Sequence, residues 1–180
     1  MYNPDLHHRK SIRLDGYDYT REGYYFITVC THKHLHQFGE ILDGFMVLND
    51  VGHLVIDEWK KTETIRDNVI LDEWVVMPNH FHAVIRTNPD CRGTARRAPT
   101  TNELFGQPVS GSISTIVRSF KSAVTKRFHE IPGNENMQLW QRNFWEHIIR
   151  DEESLFNIRK YIEENPARWE SDKMNEFGID

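Results

Sequence analysis

The sequence predicts an α+β domain in which helices pack against one antiparallel sheet. Runs dense in aromatic and β-branched residues, Tyr24 to Cys30, Val69 to Met77 and His80 to Arg86, are separated by stretches whose apolar residues recur at three and four. An Asp43-Gly44 dipeptide between two short apolar runs marks a hairpin, the connection that joins antiparallel neighbours. A chain of 180 residues with 38% hydrophobic and 27% charged residues suits one globular core and is too short for several catalytic modules.

The elements follow in order. Residues 1 to 20, carrying Arg9, Lys10 and Arg13, lack periodicity and read as a basic extended arm, with Tyr17 and Tyr19 available for stacking on a base. Tyr24 to Cys30 is the central strand, and Phe38 to Leu42 with Phe45 to Leu48 form the short hairpin. Asn49 or Asp50 caps a helix with Val51, Leu54, Val55 and Trp59 on its apolar stripe, ending near Asp67-Asn68. Val69 to Met77 and His80 to Arg86 are two strands, or one strand broken at Pro78-Asn79. Residues 87 to 111 form a long basic loop with Arg92, Arg96 and Arg97. Ser112 caps a helix whose inner stripe is Ile113, Ile116, Val117, Phe120 and Val124, with Arg118 and Lys121 off it. Phe144 to Ile149 reads as a strand, and Asp151 caps a last helix that runs through Leu155, Ile158 and Ile162 until Asn165-Pro166 stops it. No repeat or linker divides the chain, so residues 1 to 180 are expected to form a single domain.

The formal net charge is −5, but it is unevenly spread. Residues 86 to 127 hold 8 Lys and Arg against 2 Asp and Glu, between acidic flanks. Screening confines distant charges to about 10 Å, so such a block can bind phosphates within an acidic protein. The longest apolar stretches are a few residues, far below the roughly 18 a membrane span needs, and the first residues lack a secretory pattern. A cytoplasmic protein with no membrane partner is expected. Cys30 and Cys91 lack the spacing of a thiolate zinc site and read as reduced thiols.

His80-Phe81-His82 is the sharpest local signal. On a strand the two imidazoles share one face about 7 Å apart, which allows them to clamp one metal ion, while Phe81 turns to the core. The same alternation at His32, His34 and His36 shows how readily the pattern arises, and that set reads as a polar surface face, with a metal site as the lesser alternative. On the last helix Tyr161 and Asn165 lie four apart and share a face. Taken alone, Tyr161 reads as an amphipathic residue at the edge of the core. Beside two histidines and an amide oxygen from Asn165 it becomes a candidate nucleophile, since a divalent ion polarises a phosphodiester for attack by an otherwise sluggish phenol.

Six stretches then fall into a familiar order: Arg13 to Tyr19, Tyr25-Phe26-Ile27-Thr28, Val75 to His82, Ser119-Phe120-Lys121-Ser122, Trp140 to His147, and Tyr161-Ile162-Glu163-Glu164-Asn165-Pro166. In these the sequence resembles the REP-associated tyrosine transposases, the single-tyrosine branch of the HUH endonucleases. The resemblance implies a ferredoxin-like antiparallel sheet flanked by helices, His80 and His82 as the metal pair for Mg or Mn, and Tyr161 as the nucleophile that forms a 5'-phosphotyrosine link. Asn165 stands where relatives of the insertion-sequence type carry a Gln as third ligand. It further implies single-stranded DNA with a palindromic hairpin as partner, a nucleoid-associated protein when bound, and a monomer rather than a dimer.

Arg92, Arg96, Arg97, Arg118, Lys121, Lys126 and Arg127 then become candidates to hold phosphates, while Arg9, Lys10 and Arg13 reach a groove or an unpaired base. Trp140, Phe144 and Trp145 are expected in the apolar core under the last helix, with base platforms as the alternative use. The rival to a cleaving and rejoining enzyme is a module that binds structured single-stranded DNA or RNA without turnover.

Overall fold

The computed structural model describes residues 17–19, 21–88, 109–172, 174 and 175. Among the described residues the main chain forms β1 (Gly23–Cys30), β2 (Gly39–Leu42), β3 (Phe45–Leu48), α1 (Asp50–Ile65), β4 (Val69–Met77), β5 (His80–Thr87), α2 (Ile113–His129), β6 (Trp145–Ile149) and α3 (Glu152–Glu164). Short 3-10 turns lie at His32–His34 and Pro166–Ser171. The expected elements are therefore present, with ends displaced by a few residues. The first helix stops at Ile65 rather than near Asp67-Asn68, because Arg66 is already extended and its guanidinium reaches across to Ser119 Oγ at 2.8 Å.

Four strands make one antiparallel sheet in the order β4-β5-β1-β6, and β2 and β3 pair separately. Without the small hairpin, the chain runs strand, helix, strand, strand, helix, strand, with the first strand between the third and the last. That is the ferredoxin-like arrangement. Pro78 and Asn79 form the tight turn between β4 and β5, which settles the two readings of that region in favour of two strands.

Alternation along the strands divides the sheet into two faces. Tyr25, Ile27 and Val29 of β1 and Phe81, Ala83 and Ile85 of β5 point into the larger core, covered by α1 and α2 through Val55, Trp59, Ile116, Phe120 and Val124. Phe26 and Val84 point the other way, into a smaller core closed by Ile149 and by Leu155 and Ile162 of α3. Side-chain caps start each helix: Asn49 accepts from Gly52 N, Ser112 from Thr115 N and Asp151 from Ser154 N. The proline after Asn165 ends α3, yet the chain continues as the 3-10 turn, which folds Trp169 back beside His80 at 6.0 Å between ring centroids.

Several aromatic expectations change. Tyr19 is buried in the larger core and Tyr17 packs edge-on against it at 4.9 Å, with Tyr25 beside both, so Tyr19 is not available to a base. Trp140 is core as expected, but on the α1 and α2 face, where its ring meets Phe38 and Phe120. Phe144 is half-buried against that same core. Trp145 is 47% exposed, because it lies at the start of the edge strand and its side of the sheet is not covered there. The three histidines His32, His34 and His36 do not alternate along a strand, since the first two sit in the 3-10 turn.

Candidate active site

β5 begins directly after the Pro78-Asn79 turn and carries His80 and His82 on the face covered by α3. Both are buried, at 0% and 3% exposure, with ring centroids 4.5 Å apart. Their outer nitrogens are oriented by neighbours. Asn79 donates from Nδ2 to the Met174 carbonyl at 2.8 Å, which turns its Oδ1 toward His80 Nδ1, also at 2.8 Å. A carbonyl accepts only, so the proton sits on His80 Nδ1 and the Nε2 lone pair points inward. Thr28, opposite His82 on β1, places its Oγ1 2.8 Å from His82 Nδ1. With that nitrogen donating to Thr28, His82 Nε2 accepts from the hydroxyl of Tyr161 at 3.2 Å.

Burial sets the protonation of the pair. Desolvation pushes His82 down to about 3 and, with the neighbouring His82 and His34, holds His80 well below the ordinary imidazole range. Both rings are neutral at physiological pH, the form that ligates metal. Tyr161 is shifted upward, chiefly by burial and further by the Asp172 carboxylate, with a hydrogen bond from Asn165 opposing the shift. The phenolate is disfavoured here unless a cation arrives.

The donor set fits such a cation. His80 Nε2 and Asn165 Oδ1 are buried and lack a hydrogen-bond partner among the described residues, and the Nε2 of His82 meets only the Tyr161 hydroxyl. Buried polar atoms are rarely left so. Among the described residues no cluster of three His, Cys, Asp or Glu exists, so an ion here would take two imidazoles and the Asn165 amide, with open positions for water or a phosphate oxygen. His82 and Tyr161 line a cleft of about 570 Å³, with Phe26, Thr28, Phe144 and Trp145 among its other walls, and His80 lies buried behind them.

No family model matches the chain. An uncharacterized protein of Haemophilus influenzae is 40% identical over 175 residues, 96% of each chain, and the two belong to one family. A second protein of that organism, named as a candidate REP-associated tyrosine transposase, is 53% identical over 30 residues, 17% of each chain. A solved structure of a REP-associated tyrosine transposase bound to a REP hairpin superposes with a TM-score of 0.58 and 19% identity, covering 89% of this chain and 77% of that one. The fold is that of the REP-associated tyrosine transposases.

On this transposase fold His80, His82, Tyr161 and Asn165 come together, although Tyr161 and Asn165 lie about 80 residues beyond the histidines. The expected phosphate contacts are less uniform. Lys121 is diverted: its ammonium donates to the carbonyls of Gln141 at 2.6 Å and Asn143 at 3.0 Å, and burial lowers it to about 8. Arg127 is taken by Asp57 and Glu58 at 3.3 and 3.0 Å. Arg118 and Lys126 are exposed, but α2 covers the sheet face opposite the cleft. Arg9, Lys10, Arg13, Arg92, Arg96 and Arg97, and with them most of the basic arm and loop, lie outside the described residues. Cys30 packs its sulfur against Met174 and its thiol is pushed up to about 11 by burial, in keeping with an inert reduced thiol; Cys91 is outside the described residues.

Two residues that orient the histidine pair, Thr28 and Asn79, are not marked for that role by the sequence. Asn79 carried a local signal, since it precedes His80, whereas Thr28 meets His82 only through cross-strand register.

Proposed function

We propose that the chain is a tyrosine transposase that cleaves and rejoins single-stranded DNA beside hairpins, using Tyr161 as nucleophile with His80, His82 and Asn165 as holders of Mg or Mn. The observation that carries the reading is the 3.2 Å approach of the Tyr161 hydroxyl to His82 Nε2 inside an open cleft, with two further buried donor atoms left unpartnered. The hairpin partner of the solved transposase supports the choice of substrate. A bound divalent ion supplies the positive charge that polarises the phosphodiester and stabilises the phenolate.

The chain's own residues do the rest. Tyr161 Oη forms a bond to phosphorus, the bond from phosphorus to the 3'-oxygen breaks, and that oxygen leaves as a hydroxyl after taking up a proton. The phenol proton leaves through the cleft mouth to solvent, since Tyr161 and His82 both line that cleft. Attack of a 3'-hydroxyl on the 5'-phosphotyrosine reverses the exchange and rejoins a strand. Asn165 steadies the phenolate by hydrogen bonding, and α3 holds the ring in place through Leu155 and Ile162. No helix among the described residues is long and apolar enough to cross a membrane, and a protein that acts on DNA in this way would work in the cytoplasm, at the nucleoid.

The test is a denaturing gel of labelled hairpin DNA from the gene's own surroundings, incubated with and without Mg or Mn. A metal-dependent, denaturant-resistant adduct absent from Tyr161→Phe and His82→Ala is expected. DNA retarded on a native gel with no adduct under any metal overturns the reading in favour of a binding module without turnover.

A further inference from the structure

Three residues lie in one row across the sheet. Register places His82 of β5 opposite Thr28 of β1, and Thr28 opposite Trp145 of β6. Their side chains share a face, so the indole of Trp145 stands two strand spacings, about 10 Å, from the metal-pair histidine. Phe26 fills the space between: its ring lies 5.7 Å from Trp145, 5.1 Å from His82 and 6.2 Å from Tyr161. Trp145 and Tyr161 line the same cleft.

Trp145 is oriented without being covered. It is 47% exposed on the edge strand, and two residues on, His147 stacks against it with ring centroids 5.9 Å apart and planes only 5° from parallel. On the far side of this pair, His147 lines a second hollow of about 330 Å³ together with Arg150 and the carboxylates of Glu146 and Asp151. An exposed indole held flat by a second ring, within reach of a candidate nucleophile, has the geometry that receives an unstacked base.

We propose that Trp145, backed by His147, is the stacking platform for one unpaired DNA base held next to the bond that Tyr161 attacks. The inference rests on the cleavage reading for the position of the base, and on the aromatic pair itself for its existence. Stacking is sequence-tolerant, so the platform positions the strand without reading its sequence. A phosphate flanking the stacked base then falls toward the histidine pair.

Two fluorescein-labelled probes separate stacking from charge: single-stranded dT12 and an abasic dodecamer with the same phosphates. Their binding is measured by anisotropy on the full-length protein and on Trp145→Ala, Trp145→Leu and Trp145→Phe. The preference for dT12 over the abasic strand is expected to fall about 5- to 100-fold in the Ala and Leu variants and to survive in Trp145→Phe, with abasic binding equal in all four proteins. Unchanged dT12 binding in both the Ala and Leu variants overturns the platform, as does an equal loss for the two probes. The hairpin adduct is scored separately. Adduct formation without any Trp145 effect on dT12 sinks the platform alone, whereas Trp145-dependent dT12 binding without an adduct sinks the cleavage reading and retains the platform.

Discussion

The hydroxyl of Tyr161 lies 3.2 Å from Nε2 of His82, across 79 residues of sequence. Two packing decisions produce that distance. Phe81 anchors β5 in the larger core and thereby turns both histidines to the opposite face, and Leu155 and Ile162 seat α3 on Phe26 and Val84. Ile162 is buried and its neighbour Tyr161 is 38% exposed, so the tyrosine emerges where the helix leaves the apolar contact.

Replacing Thr28 with Val removes the hydroxyl that meets His82 Nδ1 while keeping a β-branched strand residue of similar size. Partners of this kind fix a ligand's tautomer, and their loss typically weakens metal affinity by about 10- to 100-fold. Titration of Mn with the protein, followed by electron paramagnetic resonance, is expected to show a weakening in that range; an unchanged affinity would sink the assigned role of Thr28.

Arg159 of α3 grips Asp72 of β4 through Nε at 2.7 Å and a second nitrogen at 2.5 Å. The guanidinium is the main reason the Asp72 carboxyl is held below its ordinary range. A carboxylate depressed in the folded state stabilises above its unfolded pKa, and the contribution disappears as pH falls through the folded value. Asp72→Asn is therefore expected to cost about 0.5–1 kcal/mol at pH 7, a figure discounted for the exposed guanidinium, with the gap from the native protein closing below about pH 4. Urea unfolding at pH 7 and pH 3 measures both limits.

Gly52, in the first turn of α1, sits so close to the hairpin that a Cβ would lie 2.3 Å from the Phe38 carbonyl oxygen and 2.8 Å from Leu48. On an open helix Gly→Ala gains up to about 1 kcal/mol. Here the sign reverses: Gly52→Ala is expected to destabilise by about 1–3 kcal/mol, read from the urea midpoint at constant slope.

Trp59 is fully buried and meets Phe81 and Phe120 edge-on at 4.9 and 5.1 Å. Its indole nitrogen has no acceptor among the described residues. Trp59→Phe therefore forfeits volume but no hydrogen bond, and thermal melting is expected to report a loss of about 1 kcal/mol, against about 3–5 kcal/mol for Trp59→Ala.

Much of this was legible in one dimension because the signals were local. The Asp43-Gly44 turn, the caps at Asn49, Ser112 and Asp151, and the stripes of α1 and α2 all depend on neighbours within a few residues. The histidine pair shares a face for the same reason. What escaped depends on which strand lies beside which. Thr28 reads as an ordinary strand residue until β1 is laid against β5. Trp145 reads as core because indoles usually are buried; only the place of β6 at the sheet edge leaves it open. Lys121 looked like a surface cation because its helical position is off the apolar stripe, and the strand-entry carbonyls that capture it belong to residues 141 and 143.

Only Arg150 and Asp151 separate the last residue of β6 from the first of α3. Tyr161 thus sits on a rigid boom whose base is riveted to the sheet, about 15 Å along a helix that has no slack at its root. On the proposed reading, a strand end joined to Tyr161 would stay where this short root holds the helix, and the nucleic acid would do the travelling.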